Sequence, residues 1–268
     1  MCKIIIICIG VAITLPGLAQ KSKKEKKDER RQRINALIKQ EEEGVIAYRK
    51  HSVFGIKLTS DGYGGFYEFG KAQSVNKSLL FQLDFAERKH PKEEKQTNPF
   101  APSSPFIFGK INYFYPLKLG VQQQILLGNK TNKNGVSVTA NFGGGISLGL
   151  LRPYYLEVND TTGAGSGRKY IKYDSADSTT FNSGDELRNL SVSSAGFGKG
   201  WGDMKVTPGL YAKAALRFDY GRYNETVSAI EVGGYAEYYS KDIPQLILIK
   251  QKKLFFNVYV ALLFGKRK

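Results

Sequence analysis

From His51 to the carboxyl terminus the apolar residues recur at every second position. Phe54, Ile56 and Leu58 alternate with Gly55, Lys57 and Thr59. Leu210, Ala212, Ala214, Leu216 and Phe218 alternate with Tyr211, Lys213, Ala215, Arg217 and Asp219. A period of two sends successive side chains to opposite faces of a strand, whereas a helix needs 3.6. No helical pattern follows residue 45, and no run of 18 apolar residues occurs beyond the amino terminus. A helical membrane protein is thereby excluded. What remains is amphipathic sheet, as a soluble sandwich or as a barrel closed in a membrane.

The connections decide between these two. Ten segments read as strands: 52–59, 65–72, 78–88, 106–115, 119–128, 137–150, 154–158, 206–219, 227–238 and 254–264. Between them, 73–77, 116–118, 151–153 and 220–226 are tight, and the intervening connections include all the long ones, with 159–205 the longest. Short turns on one side and long loops on the other are the mark of a transmembrane barrel. Tyrosines at strand ends, among them Tyr113, Tyr115, Tyr154, Tyr155, Tyr220, Tyr238 and Tyr239, suit interfacial girdles. The expected fold is all-β, an antiparallel transmembrane barrel of eight to ten strands with a short amino-terminal periplasmic helix.

The amino terminus agrees with export. In MCKIIIICIGVAITLPGLAQ one cation, Lys3, precedes the apolar run Ile4–Leu15, and small residues stand at Gly17 and Ala19. This reads as a signal peptide over 1–19, cut after Ala19. The run is shorter than the roughly 20 residues of a spanning helix. Cys8 follows Ile7, which is a poor lipobox, and with Cys2 and Cys8 removed the mature chain has no cysteine, as suits an oxidising compartment. Residues 20–50 form a charged periplasmic leader, in which KSKKEKKDERRQR precedes Glu41, Glu42 and Glu43. A helix is expected over 26–43. The barrel is expected over 51–268.

The last strand, Leu254 to Phe264, places Phe256, Val258, Val260, Leu262 and Phe264 on one face almost at the chain end. It resembles the carboxyl-terminal assembly signal of outer-membrane proteins. Together with Gly265-Lys266-Arg267-Lys268 behind it and GGGISLGLLRPYYLEV at 143–158, it resembles small outer-membrane β-barrel proteins of the Bacteroidota over about residues 50–268. The resemblance implies a family of pores, adhesins and accessory subunits of secretion and assembly machines, and does not choose among them. The basic extension departs from the usual terminal Phe.

With the apolar parity in lipid, the other parity faces a lumen. It holds Lys57, Glu68, Gln82, Asp84, Lys110, Asn112, Gln122, Gln124, Lys213, Arg217, Asp219, Glu231 and Glu237. Eight to ten strands leave an interior that side chains can fill, and opposite charges there must pair. The expectation is a salt-bridged plug built on Lys57, Asp84, Lys213, Arg217, Asp219, Glu231 and Glu237, with Lys213 and Arg217 answering Asp84, Glu231 or Glu237. The final strand does not fit the rule. Its inward parity, Phe255, Asn257, Tyr259, Ala261 and Leu263, is mostly apolar, and the pattern gives no reason for it.

The loop 159–205 is expected to lack strands of its own, and a loop of that length is usually functional. GAGSGRK at 163–169 lacks the spacing of a phosphate loop. Asp174, Asp177 and Asp185 lack that of a calcium loop. Asp160-Thr161-Thr162 and two similar triplets are similar to a short O-glycosylation signal of the Bacteroidota. Trp201, the only tryptophan, reads as an interface anchor. Catalysis is not expected: His51 and His90 fall at opposite ends of their strands, and pairing His90 with Ser103 or Ser104 for a lipid hydrolase is the weakest of three readings. No cofactor and no metal are expected. The net charge of +16 does not point to nucleic acid in an exported chain. Its cations cluster at 21–33 and 266–268, where anionic head groups or an acidic partner suit them better. The expected function is a non-enzymatic structural or accessory subunit of an envelope assembly or secretion complex. It would lie in the outer membrane with both termini periplasmic, and its partners would be lipid and other envelope proteins. A small pore or uptake channel is the alternative.

Overall fold

The computed structural model describes residues 28, 31, 32, 49–74, 76–97, 104–130, 135–160, 167–173, 193–221, 225–247 and 249–268. The expected signal peptide, 1–19, lies outside them. So does the helix expected over 26–43 but for Asp28, Arg31 and Gln32, and so do the aspartates at 174, 177 and 185.

Among the described residues thirteen strands are formed. Eight of them close a barrel: β1 (Lys50–Thr59), β2 (Gly62–Ser74), β3 (Lys77–Arg88), β6 (Asn112–Gly128), β7 (Ser137–Pro153), β11 (Lys205–Asp219), β12 (Thr226–Ile243) and β13 (Lys252–Arg267). Each pairs antiparallel with its neighbours in chain order, and β13 returns to β1 to close the ring. Closure removes the sheet edge and satisfies every ladder internally, the condition for a sheet in lipid. The closing seam sets Phe54 opposite Phe264, Ile56 opposite Leu262 and Leu58 opposite Val260. Lys50 and Lys268 exchange backbone hydrogen bonds at 2.9 and 2.8 Å, so both ends of the barrel chain sit at one rim.

The wall is inverted relative to a soluble protein. Phe54, Phe85, Leu119, Leu216, Val232 and Phe256 all point outward and are exposed. A soluble monomer rarely tolerates an apolar patch beyond a few hundred Å², and this one encircles the barrel. On β13 the outward row runs from Leu254 to Phe264, roughly 33 Å along the strand at about 3.3 Å per residue. With the usual tilt of about 40° it spans roughly 25 Å in height, the thickness of an apolar band in lipid. This wall is a membrane-spanning surface.

Two expected turns are corrected. Segments 106–115 and 119–128 are not two strands: 116–118 runs straight through β6. Pro116 suggests a break, but the ladder from β6 to β3 passes from Phe114 to Leu117 without pairing Tyr115 or Pro116, while Pro116 stays opposite Gly149 of β7. A proline is tolerated where its missing N–H is not needed. Residues 151–153 are the end of β7, and 154–158 leaves the barrel altogether. The connections at the terminal rim are therefore 75–76, 129–136 and 220–225, and the long ones, 89–111 and 154–204, stand at the other rim.

Parts of the long connections form sheet of their own. β8 (Tyr155–Asp160), β9 (Gly167–Lys172) and β10 (Ser193–Ser194) form a three-stranded sheet, and β4 (Lys95–Gln96) pairs with β5 (Phe106–Ile107). Loop 159–205 thus has strands of its own. They share an apolar core of Phe106, Ile107, Tyr154, Leu156, Val158, Ile171 and Leu246. This headpiece is right-side-out, with its apolar residues inside. Tyr154 belongs to that core, where its hydroxyl accepts from the Ile107 N–H at 3.0 Å. Tyr239 faces the lumen. Neither is a girdle residue, whereas Tyr220 and Tyr238 lie exposed on the wall.

Candidate functional site: the filled lumen and the hollow above it

Every second residue of the barrel faces inward, so the lumen collects the polar parity of eight strands. Lys57, Glu68, Gln82, Asp84, Gln122, Gln124, Lys213, Arg217, Asp219, Glu231 and Glu237 are all buried. They assemble in tiers. Nearest the terminal rim, Asp219 pairs with Arg267 and lies 3.7 Å from Lys130. In the next tier Arg217 spans two carboxylates. Its Nη1 and Nη2 donate to the two oxygens of Glu68 at 2.8 Å each, and Nε and Nη2 donate to Glu231 at 2.8 and 2.6 Å. A fork of this kind matches guanidinium geometry. Lys213 reaches Glu231 at 2.9 Å and Gln82 at 3.2 Å, and Asn141 and Tyr259 also donate to Glu231, at 2.9 and 2.5 Å. Above it Lys57 pairs with Asp84. In the top tier Glu237 receives Arg88 and Lys118, the latter at 2.5 Å, and Arg88 also holds Asp61.

Of the partners expected for Arg217, Glu231 is present, but Glu68 takes the other half of the fork. Lys213 reaches Glu231, and neither cation meets Asp84 or Glu237. Arg88 and Lys118 were missed, since one ends a strand and the other lies in a supposed turn. Lys110 and Asn112 are corrected. They stand above the lumen, Lys110 against Glu93 at 2.5 Å and Asn112 donating to the Pro244 carbonyl at 2.8 Å. The residues that fill the lumen leave little space. The cavity at its centre, lined by Lys57, Phe66, Asp84, Lys118, Tyr211, Lys213, Tyr235 and Tyr259, holds about 10 Å³, close to one water-sized sphere.

The inner face of β13 now has a physical reason. Ala261 and Leu263 join Val53, Phe66, Ala215, Val227 and Ala229 in an apolar cluster inside the lumen. Phe255 packs on Phe114 and Tyr239 at ring separations of 5.9 and 6.0 Å, with the Arg88 guanidinium 4.7 Å above it. The chain makes room with glycine: a Cβ on Gly55 would come within 2.4 Å of the Phe66 ring, and one on Gly70 within 2.0 Å of His51. Phe256, Val258, Val260, Leu262 and Phe264 all point outward.

Between the barrel mouth and the headpiece lies a hollow of about 300 Å³, lined by Glu87, Lys89, His90, Glu93, Lys95, Ile107, Lys110, Tyr113, Tyr115, Arg152, Ser194, Gly196 and Phe197. Arg152 is buried beside it. Its guanidinium stacks over Tyr113, Phe197 and Trp201 at 4.2, 4.8 and 4.7 Å and donates to the Phe197 carbonyl at 2.5 Å. Trp201 therefore anchors the headpiece loop to the mouth through Tyr115 and Arg152. Burial pushes the Lys110 ammonium below the usual lysine range, with Glu93 pulling it back. Burial also lowers His90. The His90 Nδ1 accepts from the Lys92 N–H at 3.2 Å. Ser103 lies outside the described residues, and no hydrogen bond joins His90 to Ser104. His51 is at the opposite rim, 3.5 Å from Glu68, so the two histidines cannot share a site. Among the described residues no group of three or more His, Cys, Asp or Glu could hold a metal ion.

No family model and no curated protein matches the sequence. Solved structures do. Neisserial surface protein A is 11% identical with a TM-score of 0.36, covering 82% of this chain and 96% of its own. The amino-terminal β-barrel domain of Pseudomonas aeruginosa OprF is 11% identical at 0.32, covering 81% and 98%. The attachment invasion locus protein Ail of Yersinia pestis is 8% identical at 0.36, covering 82% and 99%. The architecture stands on this chain's own strand ladder.

Proposed function

We propose that this chain is a non-conducting, non-enzymatic outer-membrane barrel that serves as a structural or accessory subunit of an envelope assembly or secretion complex. The observation that carries the reading is the filled lumen: paired charges in tiers around a central space of about 10 Å³. A passage for solutes needs continuous water, and an unpaired charge in so narrow an interior would be costly. That weighs against the small pore. What the molecule offers instead is a wall that anchors and a folded headpiece that presents surface, including the exposed Phe197, Tyr170 and Trp201. The expected export signal and the short turns at the terminal rim support a periplasmic position for both termini in this reading. Outer-membrane lipid and other envelope proteins are the partners of this reading.

The test is gentle detergent extraction of the native protein, size-exclusion chromatography and mass spectrometry of the peak. The reading expects the same envelope proteins at fixed stoichiometry in repeated extractions. A lone barrel of about 30 kDa plus detergent would contradict it.

A further inference from the structure

One sector of the terminal rim carries five exposed lysines that form no ion pair with a side-chain carboxylate among the described residues. There β13, β1, β2 and β3 stand side by side. Their outward rows are apolar until the last step and then turn basic. On β13 the row ending at Phe264 continues as Lys266 and Lys268. On β1 Lys50 lies below Ser52 and Phe54, on β2 Lys71 follows Phe69, and β3 opens on Lys77. All five lysines are exposed. The register makes them neighbours: Lys50 is directly opposite Lys71, Lys266 is opposite Ser52, and Lys268 bonds the backbone of Lys50.

Like charges placed opposite each other destabilise a sheet. Among the described residues no side-chain carboxylate forms an ion pair with any of the five; Asp219 holds Arg267, and Glu68 holds Arg217. Among the described residues the other side of the same rim ends in the exposed Leu127, Phe218 and Tyr220. The five lysines therefore form an arc on one side of the barrel.

We propose that this arc binds the phosphates of anionic phospholipids, with their acyl chains lying on the apolar row above it. Position favours lipid over an acidic protein. The lysine stems continue the membrane-facing wall, so their ammonium groups snorkel to head-group depth, where whatever covers them must share the bilayer surface. Each lysine near an anionic membrane surface favours binding by about 5-fold. The choice of phospholipid rests on the proposed periplasmic orientation of the termini, since that leaflet supplies phosphate on two-chain lipids.

The experiment reconstitutes the full mature chain in phosphatidylcholine bilayers carrying traces of spin-labelled phosphatidylglycerol or spin-labelled phosphatidylcholine. Electron paramagnetic resonance then reads the fraction immobilised on the barrel. Phosphatidylglycerol is expected to be preferred several-fold. The combined variant Lys50→Gln, Lys71→Gln, Lys266→Gln and Lys268→Gln is expected to lose at least half of that preference, with unchanged heat-modifiable mobility as the check on folding. The basic leader is present in both proteins, so its contribution cancels. No preference in the wild type, or an equal preference in the variant, would overturn the proposal. Orientation is read separately with a cysteine appended after Lys268 and a membrane-impermeant maleimide. Labelling only after the outer membrane is opened agrees with the periplasmic leaflet. Labelling of intact cells would overturn the assignment to that leaflet even where phosphatidylglycerol binding persists.

Discussion

The barrel and the headpiece are built from one chain by opposite rules. In the barrel, Phe54, Leu216 and Val258 face out while Arg217, Glu231 and Glu68 face in. In the headpiece, Leu156, Ile171 and Phe106 are buried while Arg168, Lys169 and Tyr170 are exposed. Both are antiparallel sheet with alternating side chains. The alternation does not say which face is the core; the solvent does. In lipid the apolar face needs no partner and the polar face must satisfy itself, which is why the barrel interior is a network of ion pairs. In water the opposite holds, and the headpiece folds around a small apolar cluster.

The sharpest way to break this comparison is to remove one charge from the lumen. Arg217→Leu leaves Glu68 and Glu231 without their shared guanidinium. Breaking a buried pair on one side costs about 3–5 kcal/mol, so the urea midpoint read by heat-modifiable gel mobility should fall sharply. An unchanged midpoint would mean the network does not hold the barrel. Leu156→Ala is the counterpart in the headpiece. It opens a fully buried site, and large-to-small core changes cost about 2–5 kcal/mol. Trp201 fluorescence and protease resistance of the headpiece should be lost while the barrel keeps its mobility shift. Loss of both together would show a single cooperative unit. On the wall, Val258→Arg places a cation mid-band, where about 2–4 kcal/mol is expected. Tyr170→Arg on the exposed face of β9 should change stability by less than about 0.5 kcal/mol. Equal effects would argue that the wall is not in lipid.

The smallest effect is one of pH. Tyr155 donates to Asp203, and Lys172 lies 3.4 Å from it. The tyrosine hydrogen bond first, and the lysine charge second, hold the Asp203 carboxyl below the usual carboxylate range. A carboxyl lowered on folding stabilises above its unfolded value, and that contribution is lost as pH falls through the folded value. Acid titration followed by Trp201 fluorescence should show a transition below the usual carboxylate range that vanishes in Asp203→Asn. A transition unaltered by that change would dismiss this clamp.

Much of the barrel was legible because a period of two is written in every strand, and the inward parity named Lys57, Asp84, Arg217 and Glu231 directly. The rest was hidden for particular reasons. Segment 116–118 read as a turn because a sequence does not show which neighbour a strand leaves unpaired. Lys118 was lost with that turn. The bond from Arg217 to Glu68 crosses the lumen between residues 149 apart, and only barrel closure sets such a distance. The headpiece strands β4, β5 and β10 are two residues long, too short to carry any period. The pattern gives no reason for the apolar inner face of β13, because its partners Val53, Phe66 and Ala229 come from strands that only barrel closure brings together.

The central claim is that the lumen is closed. Purified protein added to a planar lipid bilayer, swept over both polarities in molar salt, tests it most directly. A quiet membrane at protein levels that insert many barrels is the predicted result, while reproducible ohmic steps from the wild-type chain would contradict the account.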